Sequence, residues 1–149
     1  MDTTPLPADF KEFLRLLNSH GVEYLVVGGY AVGFHGYPRA TADLDIWVPI
    51  DRGNADKLTR ALREFGFGMP ELSPELFLEP ERVVRMGVPP MRIEILTSIS
   101  GVEFRDCYAR KESTLVDDLQ IPFLALEDLK ANKRAAGRHQ DLSDLEHLP

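Results

Sequence analysis

Apolar residues near the start of the chain recur at helical spacing. Phe10, Phe13, Leu14 and Leu17 share one face between Asp9 and Gly21. Asp9, with Glu12 three residues on, predicts the N-cap of that helix, and Gly21 its stop. From Val22 to Val27 the run VEYLVV predicts a strand that leads into Gly28-Gly29. The small-residue segment YAVGFHG predicts a brief helix, and DLDIWV a second strand. Asn54 predicts the cap of a further helix, in which Leu58, Ala61, Leu62 and Phe65 share a face and Gly66 is the end. Five prolines punctuate the stretch from Met69 to Pro90, within which RVVRM reads as a strand. MRIEILT alternates and predicts another strand, and VEFRDCYAR a short helix. A hairpin is expected across Asp117-Asp118, joining STLV to LQIPFLA. Leu126 and Leu129 open a helix that Gly137 interrupts, and Leu142, Leu145 and Leu148 mark the last one. Helices and strands interleave, so the expected class is α+β, a small mixed central sheet flanked by helices.

Composition narrows the setting. A length of 149 residues predicts one domain, 1–149, with a core that hides roughly 70% of the unfolded surface. No apolar run approaches the ~18 residues of a membrane span. The first twenty residues, MDTTPLPADFKEFLRLLNSH, lack the layout of a signal peptide. Cys107 is the only cysteine, which excludes an internal disulfide and fits a reducing cytoplasm, the expected location. The net charge of −7 disfavours a dedicated nucleic-acid binder, although an acidic chain still accommodates one basic patch.

Candidate chemistry concentrates in VVGGYAVGFHGYPRATADLDIWV. Side chains alternate along a strand, so Asp43, Asp45 and Trp47 project together while Leu44, Ile46 and Val48 turn to the core. The two carboxylates then sit ~6 to 7 Å apart at the backbone. Their mutual repulsion is ~3 kcal/mol at an effective dielectric near 20. A divalent cation would relieve it, and hard oxygen ligands suit Mg²⁺ or Mn²⁺. Glu94, between Ile93 and Ile95, adds a third acid on the polar side of a strand. Three such groups converging would hold two ions, one acting on the attacking group and one on the phosphates and leaving group. The competing reading is that these acids are the wet side of an amphipathic sheet. It accounts for Glu94 as well as a ligand role does, but less well for two aspartates in one short strand, where Asp is a poor former.

Gly28-Gly29 between a strand and a short helix is a place where backbone N–H groups meet phosphate, or else an ordinary tight turn. Arg39 would reach phosphates and Thr41 would brace that turn, unless they are a surface arginine and a strand-initiating threonine. Trp47 shares the aspartates' face, where it would stack on a base or simply pack. Asp141 and Asp144 are expected to pair with nearby cations or cap the last helix. The four histidines show no H-E-x-x-H spacing, and Cys107 has no activating context.

With these residues in view, the chain resembles the DNA polymerase beta-like nucleotidyltransferase superfamily. The shared signature is an apolar strand, Gly28-Gly29, a gap covering residues 30–42, Asp43-x-Asp45 in a strand, and an acid on a later strand, here Glu94. Within it the chain looks most like small bacterial stand-alone members related to AbiEii-type toxin transferases. HGYPRATADLDIWV, IEILTSISGVEF and LKANKRAAGRHQDLSDLEHL carry that likeness. The resemblance implies a polymerase beta palm-like fold and a Mg²⁺-dependent attack of an acceptor hydroxyl on the α-phosphorus of an NTP, with pyrophosphate leaving. It implies that Asp43 and Asp45 bind both ions, while Glu94 binds the catalytic one and helps deprotonate the acceptor. Glu94 stands where Asp is more frequent. Lys133 and Arg138 become candidate triphosphate partners, the alternative being cations that stabilise a helix end. The acceptor, whether RNA, protein or a small molecule, is left open. A non-catalytic module that binds a nucleotide or a partner protein, as in a toxin–antitoxin pair, is the alternative. A metal-dependent phosphohydrolase would explain the acids but not the glycine turn.

Overall fold

The computed structural model describes residues 6–149. Helix α1 (Ala8–Ser19) buries Phe10, Phe13, Leu14 and Leu17, as their spacing requires. Its N-cap is Pro7 and not Asp9, which lies in the first turn, where a carboxylate still meets the positive helix end. Strand β1 (Leu25–Val27) is three residues long, shorter than the run from Val22 suggested. The reason lies in Asn54: its side chain accepts from the Glu23 N–H at 2.7 Å and donates to the Glu23 carbonyl at 3.0 Å. Both backbone groups of Glu23 are thereby satisfied outside any ladder.

Asn54 therefore does not cap the helix that follows. In α3 (Arg52–Phe65) the N-cap is Asp51, whose carboxylate accepts from the Asn54 N–H at 2.8 Å, and Gly66 closes it in a left-handed conformation. Between β1 and α3 lie the seven-residue α2 (Gly28–Phe34) and strand β2 (Asp43–Trp47). The proline-punctuated stretch forms a 3-10 turn at Pro74–Phe77 and strand β3 (Val83–Met86). Strand β4 (Arg92–Leu96), helix α4 (Phe104–Ala109), and strands β5 (Glu112–Val116) and β6 (Leu119–Phe123) follow. Asp117 and Asp118, at φ 51° and 65°, form the tight turn between β5 and β6. Helices α5 (Leu126–Ala136) and α6 (His139–His147) are separated at Gly137.

The strands form one mixed sheet in the order β3-β4-β2-β1-β6-β5. The β2–β4 and β1–β6 pairs are parallel, and the others are antiparallel. Helix α1 packs on α3 and β6, α2 on β1 and β2, and α5 on α6. Leu44, Ile46, Ile93 and Ile95 are fully buried, while Asp43, Asp45 and Glu94 alternate with them on the opposite, half-open face. Trp47 continues that second face but is buried edge-on against Phe104 of α4. Packing, and not base stacking, accounts for its position. Among the described residues no helix is long and apolar enough to cross a membrane.

Candidate active site

The central ladder brings the acids together. In the parallel pairing of β2 with β4, Asp45 lies opposite Glu94 and Asp43 opposite Arg92. Each of Asp43, Asp45 and Glu94 offers one carboxylate oxygen, and the three atoms lie within 4.8 Å of one another. Two acids have a counter-ion. Arg92 donates from Nε to Asp43 Oδ1 at 3.1 Å and pairs with Oδ2 at 3.1 Å. Arg85 of β3 donates from Nε to Glu94 Oε1 at 2.7 Å.

Asp45 is different. Its Oδ1 is buried and has no hydrogen-bond partner. Burial, then the charges of Glu94 and Asp43, push its carboxyl up to about 8, against the weaker pull of Lys133. A desolvated carboxylate oxygen among two others, with only oxygen donors around it, matches the ligand set of a hard divalent cation. The donor set and the orphaned oxygen both fit such an ion.

The glycine turn lies against this group. Gly28 has φ +68°, and a β-carbon there would collide with the Asp45 carboxylate. A β-carbon on Gly29 would stand 2.5 Å from Thr41 Oγ1. Thus Thr41 packs directly on the turn. Both glycines are required by close approach, and Gly28 also by its backbone conformation.

The basic residues divide into two roles. Lys133 is buried, and its Nζ lies 3.0 Å from Asp144 and 3.2 Å from Asp141. Arg39 donates from Nε and Nη2 to the same Asp144 at 2.9 and 3.0 Å. Arg138 caps α6 together with Asp141, its Nε donating to Asp141 Oδ2 at 2.8 Å. Burial pushes the carboxyls of Asp141 and Asp144 up, but the surrounding cations outweigh it and hold both below the usual range. Asp141 and Asp144 are therefore partners of the cations, as expected, and Arg39 is anchored to Asp144. Lys133 and Arg138 nevertheless line, with Val27, Gly28 and Asp45, a cavity of about 710 Å³ that continues past Leu96, Ile99 and Asn132.

Arg85 and Arg92 are not singled out by any motif in the sequence. The signal was present in the alternation: Arg92 is two residues before Glu94 on one strand and so shares its face. What was absent from the sequence was the register that sets Arg85 opposite Glu94. His35 contributes nothing to the acids, since its Nε2 bonds the Leu124 carbonyl. The Cys107 thiol is buried and pushed up to about 11, first by burial and then by Asp128, which leaves it unreactive.

No protein-family model matches the chain, and no curated protein matches it. Several solved structures share its fold, two of which cover most of the chain. One is a candidate nucleotidyltransferase from Thermotoga maritima, with 19% identity and a TM-score of 0.63, covering 91% of this chain and 87% of its own. The other is an antigenic nucleotidyltransferase-like protein from Paracoccidioides brasiliensis, with 18% identity and a TM-score of 0.55, covering 97% of this chain and 77% of its own. The α+β architecture, a six-stranded mixed sheet flanked by helices, is thus the fold of these nucleotidyltransferase-like structures.

Proposed function

We propose that this chain, acting as a single nucleotidyltransferase-like domain, transfers a nucleoside monophosphate from an NTP to an acceptor hydroxyl. The observation that carries this reading is the partnerless, buried oxygen of Asp45, set among Asp43 and Glu94 and pressed against the glycine turn. Asp43, Asp45 and Glu94 would hold Mg²⁺ or Mn²⁺. When bound, such an ion would lower the pKa of the acceptor hydroxyl and neutralise charge on the phosphates.

The chain's own residues supply the rest. Gly28 and Gly29 let the backbone approach the nucleotide's phosphates without side-chain interference. Lys133 is a positive charge fixed in place by Asp141 and Asp144, and with Arg138 it faces the cavity beside Asp45. The two cations receive the pyrophosphate as it leaves. Glu94, on β4 beside Asp45, accepts the proton of the acceptor hydroxyl. A new bond forms between the acceptor oxygen and the α-phosphorus, and the bond from that phosphorus to the bridging oxygen breaks. Thr41 braces the turn, and Arg39, held by Asp144 of α6, keeps its Nη1 beside Gly29 within reach of the phosphates. The single buried cysteine suits a reducing cytoplasm.

A second reading has its own support. Arg92 and Arg85 already neutralise two of the three acids, as they would in a non-catalytic module of the same fold. The likeness to AbiEii-type toxin transferases makes a toxin–antitoxin component the natural form of that reading. To separate the two, the protein is incubated with Mg²⁺ and each α-labelled NTP, with RNA, with protein, and with small-molecule extract. Label transfer that is lost in Asp45→Asn supports the transferase. Tight Mg–NTP binding without transfer to any acceptor supports the module, and absence of both removes the proposal.

A further inference from the structure

Across four strands the register aligns Val27, Asp45, Glu94 and Arg85 in one row. Neighbouring strands are about 4.8 Å apart, so the row runs roughly 14 Å from the glycine-turn side to Arg85. Arg92 stands beside it, opposite Asp43. The cavity that touches Gly28, Asp45, Lys133 and Arg138 reaches neither arginine. The cavity runs over the Val83–Leu96 end of β3 and β4, so two sets of cations flank the carboxylates: Lys133 and Arg138 on its wall, and Arg85 and Arg92 on the same two strands beyond its lining.

The two sets are built differently. Lys133 and Arg39 are largely buried and tied to the buried Asp141 and Asp144, which join α5 to α6; Arg138 is exposed, but its partner Asp141 is buried and shared with Lys133. Arg85 and Arg92, among the described residues, hydrogen-bond through their side chains to Glu94 and Asp43 alone. Their side chains are 63% and 38% exposed, so Arg85 can swing into water with little loss of packing and Arg92 by giving up part of its contact with the sheet. Arg92 engages both oxygens of Asp43. These are carboxylates that a divalent cation would need, and a guanidinium beside such an ion is repelled by it.

Building on the transferase reading, we propose that Arg85 and Arg92 are exchangeable counter-ions: they leave Glu94 and Asp43 when a divalent cation binds, and then hold an anionic group of the acceptor. In-line displacement puts the entering oxygen and the leaving pyrophosphate on opposite sides of the α-phosphorus. With Lys133 and Arg138 on the cavity side, the two arginines stand where the acceptor enters. A guanidinium matches a planar pair of oxyanion oxygens, so the acceptor class is a hydroxyl compound that carries phosphate or carboxylate.

The test begins with Mn²⁺ titration calorimetry on the full chain, wild type and the Arg85→Gln, Arg92→Gln and double variants, with Asp45→Asn as control. The double variant is expected to bind Mn²⁺ about five-fold tighter or more, because a competitor has been removed. Unchanged or weaker binding overturns the exchange, since the arginines would then be orienting the carboxylates for the ion. If the wild type binds no Mn²⁺, the transferase reading fails and this one with it. If Asp45→Asn loses Mn²⁺ but the arginine variants do not gain, only the present proposal fails. The acceptor half is read by NMR of the arginine Nε–H signals, assigned with the single variants, in protein saturated with Mg²⁺ and a non-hydrolysable NTP. Addition of inorganic phosphate or acetate is expected to shift both signals, and the larger response distinguishes the two anion types. Signals that move with neither overturn the acceptor assignment.

Discussion

Asp45 stands directly opposite Glu94 in the parallel ladder of β2 and β4, with one of its oxygens buried and unpartnered. Two carboxylates in that relationship need a proton or a cation between them. Without a cation the proton takes that place: burial first, then Glu94, pushes the Asp45 carboxyl up to about 8.

A pH dependence of stability follows from that shift. Unfolded, Asp45 titrates at its ordinary value of 3.8, so between there and about 8 the folded protein holds a proton that the unfolded chain releases. The Asp45 contribution is therefore complete below the unfolded value and is lost as pH rises through about 8. Urea unfolding in chelator between pH 5 and 9 is expected to show falling stability in the wild type and a flatter profile in Asp45→Asn. Parallel profiles would show that Asp45 ionises normally. The low pKa values of Asp141 and Asp144 act in the opposite sense, with stability lost as pH falls through their folded values, and so lie outside this window.

Divalent cations are expected to stabilise the fold. An ion at a concentration 100 times its Kd contributes about 2.7 kcal/mol, a rise in Tm of roughly 5–11 °C for a chain of this size. The gain is expected with Mg²⁺ or Mn²⁺, to vanish in Asp43→Asn and Asp45→Asn, and to be larger at pH 9 than at pH 6, because Asp45 must first lose its proton. A thermal melt with and without chelator checks it, and identical melting of wild type and Asp45→Asn in Mg²⁺ would refute the site.

Gly28→Ala tests the glycine turn. Its φ of +68° costs an L-residue about 1–2 kcal/mol, and the added methyl would also press on the Asp45 carboxylate. Lower stability is expected together with weakened Mn²⁺ binding. Gly66→Ala, also at positive φ but with open space around it, is the control: it is expected to lose stability by a similar backbone amount and keep its metal affinity.

Lys133→Met separates structure from catalysis in α5. It leaves Asp141 and Asp144 buried with one cation fewer each, although Arg138 and Arg39 remain. Destabilisation of about 3 kcal/mol is expected in chemical unfolding. Lys133→Arg is expected to recover much of it. A loss below 0.5 kcal/mol in Lys133→Met would mean that the buried network does not hold α5 to α6.

Most of the fold was legible in the chain because its signals are local. Phe10, Phe13, Leu14 and Leu17 recur at the helical period, Gly66 and Gly137 end helices in a left-handed conformation, and Asp117-Asp118 turns a hairpin. Where local signals misled, a distant partner had intervened. Asn54 looks like a cap, yet its amide is committed to Glu23, thirty-one residues away in sequence, which both moves the cap to Asp51 and shortens β1.

The candidate site divides the same way. Alternation along a strand is a property of the backbone alone, so the sequence by itself determined that Asp43 and Asp45 share a face, that Glu94 faces away from Ile93 and Ile95, and that Gly28-Gly29 interrupts β1 before a short helix. Only the tertiary structure decided that β2 and β4 pair in parallel with Asp45 beside Glu94, that Lys133 and Arg39 converge on Asp144, and that Arg85 and Arg92 guard the acids. Strand register and long-range ion pairs depend on how the whole core packs. A one-residue slip of β4 would bury Glu94 and expose Ile93 and Ile95, and it is the shared hydrophobic face, spread over residues far apart in the chain, that forbids it.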